Sequence, residues 1–135
     1  RSQPGDRLHY DAMFAIDNGN WSVGYGELTA KGMLQCYQLG TWLRSRYIEG
    51  TTENRLLHAT YDHEETHARS TDVDRTLVSA QGILSGLYPM GTGPEGGIEG
   101  RPELIPVHTI QYADDYLLDG SASSHCPLFK AAYKS

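Results

Sequence analysis

Apolar residues at Val73, Leu77, Ala80, Leu84 and Leu87 recur at helical spacing along one stripe. They predict a helix over about residues 72–86, stopped by Leu87-Tyr88-Pro89. Ser70 and Thr71 stand where they can cap it. Asp72 and Asp74 fall in its first turn, where the helix dipole favours negative charge. A second helix is predicted over about residues 30–47, capped by Thr29 and presenting Met33, Tyr37, Gly40, Leu43 and Tyr47 on one face, with Gly50-Thr51-Thr52 ending it. Between the two helices, residues 51–64 read as a polar connection and residues 65–69 as a short strand. Residues 1–28 are dense in turn formers (Pro4-Gly5-Asp6, Asp17-Asn18-Gly19-Asn20, Gly24, Gly26) and read as a long loop. After the Val73 helix, residues 88–100 hold five glycines and read as an irregular loop, followed by a short strand over residues 104–110. From Asp114 onward the pattern is ambiguous. Strand, helix, strand in that order predicts an α/β sandwich with its site in loops at the carboxyl ends of strands.

Composition narrows this only a little. With 39% hydrophobic and 21% charged residues, the 135-residue chain has the make-up of a globular protein of one domain at most. A net charge of −6 argues against a nucleic-acid partner and leaves no basic patch for a membrane surface. No apolar run approaches the roughly 18 residues that a spanning helix needs. The chain opens at Arg1 with no initiator Met and no signal-peptide core, and is read as a fragment. Of the two cysteines, Cys36 falls in the first helix pattern and is expected to be a small buried apolar residue. Asn20-Trp21-Ser22 is an acceptor pattern for an N-glycan, meaningful only in a secretory setting.

Two stretches could carry chemistry. Arg69 precedes the N-terminus of the Val73 helix, where a guanidinium fork and exposed backbone N–H groups would converge on a phosphate. The competing reading is an ordinary N-terminal cap with surface salt bridges, and for an arbitrary Arg-Ser-Thr-Asp string that is the stronger one. His63-Glu64-Glu65-Thr66-His67 matches H-E-x-x-H, the pattern of zinc proteases, which requires both histidines on one face of a helix and a third ligand beyond.

The run from Arg69 to Leu77 (Arg-Ser-Thr-Asp-Val-Asp-Arg-Thr-Leu) resembles the signature of the histidine acid phosphatases, the lysosomal and prostatic type in particular. Other stretches agree, in order and at sensible spacing. Trp21 to Thr29 with Lys31-Gly32-Met33 is similar to the family's W-x-x-G-[FY]-G-x-L-T-x-x-G-M. Leu87-Tyr88-Pro89 matches its leucine-aromatic-proline stop, Ile105-Pro106-Val107-His108-Thr109 its I-P-V-H-T strand, and Cys126-Pro127 its C-P pair. The resemblance implies the α/β sandwich of the phosphoglycerate-mutase-like histidine phosphatases. Residues 1–135 would then be a partial domain whose start and C-terminal half lie outside the sequence. The segment feeding Arg69 departs from the family, with Thr66, His67 and Ala68 where apolar β-branched and aromatic residues are usual.

The implied activity is hydrolysis of phosphate monoesters at acid pH, without metal or cofactor. A histidine in an R-H-G-[DE]-R motif attacks phosphorus, arginines clamp the equatorial oxygens, and an aspartate of an H-D motif protonates the leaving alcohol. Arg7 and Arg69 correspond to phosphate-clamping arginines. Gly5, Asp6 and Arg7 match the first motif, but Pro4 stands at the nucleophile's position and Gln3 at an arginine's, and no His-Asp dipeptide occurs in the chain. The chain as it stands is therefore expected to be inactive, either because a fragment end is imperfect or because the nucleophile has been lost. Arg75 is placed two turns into the helix as a salt-bridge residue. His108 lies on the strand that in family dimers is near the subunit contact, but Pro102 replaces a tryptophan that often accompanies it, which weakens the expectation of a homodimer. Cys126 would find its disulfide partner outside the sequence, and a lysosomal or secreted location follows from the resemblance alone.

Three readings stand at this point: an acid phosphatase acting on small phosphomonoesters, a non-catalytic phosphate- or phospholipid-binding relative keeping Arg7 and Arg69, and a metalloprotease using His63, Glu64 and His67.

Overall fold

A computed structural model describes residues 22–24, 26–51, 53, 55–95, 97–118 and 126–133. Helix α1 spans Ala30–Tyr47 and begins as its sequence dictates. Thr29 is extended, and its Oγ1 accepts a hydrogen bond from the Gly32 N–H at 3.1 Å, satisfying one of the first-turn donors. At the other end the N–H groups of Ile48 and Glu49 both return to the Arg44 carbonyl. Arg44 also donates from Nη1 to the Leu87 carbonyl at 2.9 Å and pairs from Nε with Glu49 at 2.6 Å. A cation thus sits on the last carbonyl of the second helix, where the dipole favours it.

Helix α2 spans Asp74–Leu87. Its N-cap is Val73, in an extended conformation with no side-chain cap, rather than Ser70 or Thr71. Those hydroxyls are used locally: Ser70 Oγ donates to the Thr71 carbonyl, and Thr71 Oγ1 lies 2.8 Å from Thr76 Oγ1. Side-chain bonding in the Ser-Thr turn competes with capping, which delays the helix by two residues. Leu84 and Leu87 are buried and end the predicted stripe. The Tyr88 N–H closes the helix on the Leu84 carbonyl at 2.8 Å.

The helices pack against each other where Gly40 of α1 and Gly86 of α2, both buried, let the backbones touch. A small core of Ile48, Leu87 and Tyr88 forms beside this crossing, joined by Leu43, Leu57, Tyr61 and Ile105. Tyr88 is fully buried. Its hydroxyl lies 3.2 Å from Thr66 Oγ1, and its ring meets Tyr61 edge to face at 6.0 Å. The rest of the predicted α1 face is less covered than its pattern implies: Met33 and Tyr37 are exposed, whereas Gly40 is buried and Leu43 and Tyr47 are half-buried.

The two expected strands form, but shorter. Strand β1 (Ala68–Arg69) and strand β2 (Val107–His108) pair in parallel, with Ala68 against Val107 and Arg69 against His108. The Ser70 N–H extends the ladder to the His108 carbonyl at 3.0 Å. With α2 between the paired strands in sequence, the architecture is α/β. Beyond β2 come a 3-10 turn (Tyr112–Asp114) and a short helix α3 (Pro127–Tyr133). Among the described residues, no helix is long and apolar enough to cross a membrane.

Candidate active site

Arg69 is the last residue of β1, four positions before the N-cap of α2. It therefore occupies the carboxyl end of a strand at the entrance to a helix, as the strand-helix-strand pattern predicts. Its side chain is 24% exposed and its Nη2 contacts Asp115 Oδ1 at 2.5 Å. Asp115 is completely buried. Its backbone N–H bonds to the Tyr112 carbonyl at 3.3 Å, so the 3-10 turn sets the direction of its side chain, and Oδ1 takes a second bond from the Leu118 N–H at 3.1 Å. A buried carboxylate is tolerated only when paired and hydrogen-bonded, and Arg69 with the Leu118 amide meets that requirement on one oxygen. Arg69 Nε and Asp115 Oδ2 are both buried without a hydrogen-bond partner. The guanidinium thus has one nitrogen fixed and donors to spare.

Two histidines flank this point. His108 pairs with Arg69 across the ladder, and its ring stacks on His67 with centroids 4.7 Å apart and an interplanar angle of 13°. Arg75, expected two turns into the helix, is the second residue of α2, and its Nη1 lies 3.7 Å from where a Cβ on Gly26 would stand. Its guanidinium rests against the glycine turn that precedes α1. A concavity of about 670 Å³ is formed by residues 91, 93–95 and 97–104 in and after the glycine-rich loop, and neither Arg69 nor Asp115 lines it.

The metalloprotease arrangement is not formed. Residues 63–65 are a turn, and its N–H groups fold back on Asp62: Glu65 and Thr66 bond to the Asp62 carbonyl and Glu64 to Asp62 Oδ1. His63 and His67 therefore share no helix face, and the His67 ring is engaged with His108. The Asp62 carboxylate and carbonyl close this single turn, which does not continue as a helix. The donor atoms that do approach one another belong to His58, Asp62 and Glu65, with His58 Nδ1 2.6 Å from Glu65 Oε1.

Pro4, Arg7 and Asn20 lie outside the described residues. Cys126 is exposed and Cys36 half-buried rather than buried, and both are free thiols. Asp115 is the residue that the sequence pattern did not single out. Its only signal was an acidic pair, Asp114-Asp115, in an otherwise unpatterned tail.

A parallel strand pair around one helix, with an arginine at the strand end held by a buried carboxylate, is an α/β arrangement. The chain belongs to the histidine phosphatase superfamily (branch 2), whose family profile matches residues 2–135. It is similar to prostatic acid phosphatase of Homo sapiens, 40% identical over 132 residues that make up 93% of this chain and 31% of that protein. The prostatic acid phosphatase of Mus musculus is 44% identical over 107 residues, 76% of this chain and 26% of that protein. Lysosomal acid phosphatase of Bos taurus is 41% identical over 114 residues, 82% of this chain and 24% of its own length. The chain thus spans about a quarter to a third of the length of these curated relatives.

Proposed function

We propose that, in a polypeptide of the relatives' length, these residues form part of the phosphate-binding side of an acid phosphatase that hydrolyses phosphate monoesters through a phosphohistidine. The placement of Arg69 carries this reading: a guanidinium at the end of β1, just ahead of α2, anchored on one nitrogen by a buried aspartate. Arg7 is the second clamp. The two guanidinium groups hold the equatorial oxygens of the phosphoryl group while the bond to the imidazole forms and the ester bond breaks, the alcohol leaving with a proton from the family's H-D aspartate. Water then cleaves the phosphorus–nitrogen bond, releasing phosphate and restoring the histidine. The reaction uses no metal or cofactor, because the arginines supply the charge that a metal would bring. The long polypeptide takes the sandwich form of the family and works in the lysosome or outside the cell. Its N-glycan is at Asn20, and pairing of two copies would use the edge that carries His108.

A second reading is favoured by one residue. Pro4 has no nucleophilic atom, and a chain carrying it at the catalytic position would bind phosphate or a phospholipid headgroup without turnover. Rapid-quench labelling of the long polypeptide with a ³²P-phosphomonoester separates the two. An acid-labile, base-stable phosphoenzyme supports the phosphatase. Binding of phosphate with no label and no product identifies the non-catalytic relative, and neither binding nor turnover overturns both.

A further inference from the structure

We propose that Asp115 is a positioning residue, which fixes the Arg69 guanidinium so that its remaining donors are presented to the transferring phosphoryl group. The inference rests on the reading of Arg69 as a phosphate clamp.

Asp115 lies 46 residues beyond Arg69 and is fully buried. Bringing a carboxylate inside is costly, and a purely structural site would satisfy both its oxygens. Here Oδ1 receives both Arg69 Nη2 and the Leu118 N–H, while Oδ2 receives nothing. The contact is one-sided in the guanidinium as well: Nη2 is taken, and the buried Nε makes no bond. A bidentate fork would have used two nitrogens on the carboxylate. A single Nη2 anchor instead restrains the group from its buried side and leaves Nη1, on the side chain's exposed part, as the donor for an oxygen of a phosphoryl group.

The surrounding backbone makes this anchor stiff. The 3-10 turn, the Asp115 N–H on the Tyr112 carbonyl and the Tyr116 N–H on the Asp114 carbonyl hold the carboxylate from its own side. The β1–β2 ladder and the Ser70 N–H on the His108 carbonyl hold the arginine's Cα from the other. An arginine side chain otherwise samples many rotamers, so an anchor on one nitrogen lowers the entropy that must be lost when the transition state is gripped. Support of this kind matters most for groups whose contacts strengthen during reaction.

The test is a double-mutant cycle on the long polypeptide with p-nitrophenyl phosphate, comparing Asp115→Asn, Arg69→Ala and the double variant. Asp115→Asn keeps the shape and one acceptor oxygen but removes the charge. It should lower kcat about 10-fold or more with a smaller change in KM, because the contact it supports tightens in the transition state. In the Arg69→Ala background the same substitution should cost no further activity, since a residue that acts through Arg69 has nothing left to position. Equal losses in both backgrounds, or no loss in either, would overturn the proposal. It would also be overturned if Arg69→Ala accumulates as folded protein and Asp115→Asn does not, because Asp115 would then serve folding alone. A wild-type protein that hydrolyses nothing would instead strike at the reading of Arg69 itself.

Discussion

Gly40 and Gly86 meet backbone to backbone at the crossing of the two main helices. A Cβ built on Gly40 would overlap the Ile83 carbonyl oxygen and lie 3.0 Å from the Gly86 Cα. One built on Gly86 would overlap the Tyr37 carbonyl oxygen and lie 2.8 Å from the Thr41 nitrogen. These neighbours are main chain and cannot rotate away, so the helices would have to move apart and uncover the Leu84–Leu87 side of α2. Gly40→Ala or Gly86→Ala in the long polypeptide should cost about 3 kcal/mol, at the upper end of the range for overpacking a tight contact. Gly91→Ala at the loop tip meets no neighbouring atom and carries only the strain of its positive φ of 84°. Thermal unfolding of the three variants checks this, with the two helix glycines expected to lower Tm most.

The 135-residue chain expressed by itself should be poorly soluble. Leu28, Ile48, Leu84, Leu87 and Tyr88 are the buried apolar residues among those described, whereas Leu34, Tyr37, Leu39 and Trp42 of α1 are each more than 40% exposed. Its described sheet has two strands, and such a pair is marginal in water. The expected outcome is broad, non-cooperative melting, binding of a hydrophobic dye and concentration-dependent aggregation. A sharp, reversible transition from a monomer would contradict it.

That same 135-residue chain should release no phosphate from p-nitrophenyl phosphate. It has Pro4 where the proposed mechanism needs an attacking imidazole and no His-Asp pair for the proposed protonation of the leaving group, and each such loss typically removes several orders of magnitude in rate. A stoichiometric phosphoenzyme formed by this chain would show that another histidine attacks.

Thr29→Ala should destabilise the long polypeptide by about 1 kcal/mol through loss of the α1 cap. Val73→Thr tests the other helix: the side chain that caps α2 makes no such bond, so a hydroxyl there should be neutral or stabilising. Urea unfolding midpoints give both values.

The boundaries of α1 were legible because they depend on neighbours in sequence: Thr29 reaches only three residues to Gly32, and Ile48 closes on Arg44. The start of α2 was not, since Ser70 and Thr71 have the composition of caps and only their actual partners, Thr71 and Thr76, reveal that they are otherwise engaged. The H-E-E-T-H run fits a zinc motif in letters, but Asp62 turns it into a knot of backbone bonds that no residue pattern encodes. Arg69 was recognisable from its place before a helical stripe. Asp115 was not, because a contact spanning 46 residues from an unpatterned segment leaves no local periodicity to read. The exposed half of α1 has a similar cause: amphipathic spacing marks a face that can be buried without saying what buries it.

In the proposed phosphatase Arg69 grips the phosphoryl group while Arg75, the second residue of α2, supports the turn at Gly26. Steady-state turnover of p-nitrophenyl phosphate by the long polypeptide tests it directly. Arg69→Ala should lower kcat by roughly 10²-fold or more, the scale of losing one preorganised donor. Arg69→Lys should recover only part of this, since an ammonium keeps the charge but not the planar fork. Arg75→Ala should leave kcat nearly unchanged and shift stability by no more than about 1 kcal/mol. If Arg75→Ala abolishes turnover while Arg69→Ala retains it, the assignment of the clamp is wrong.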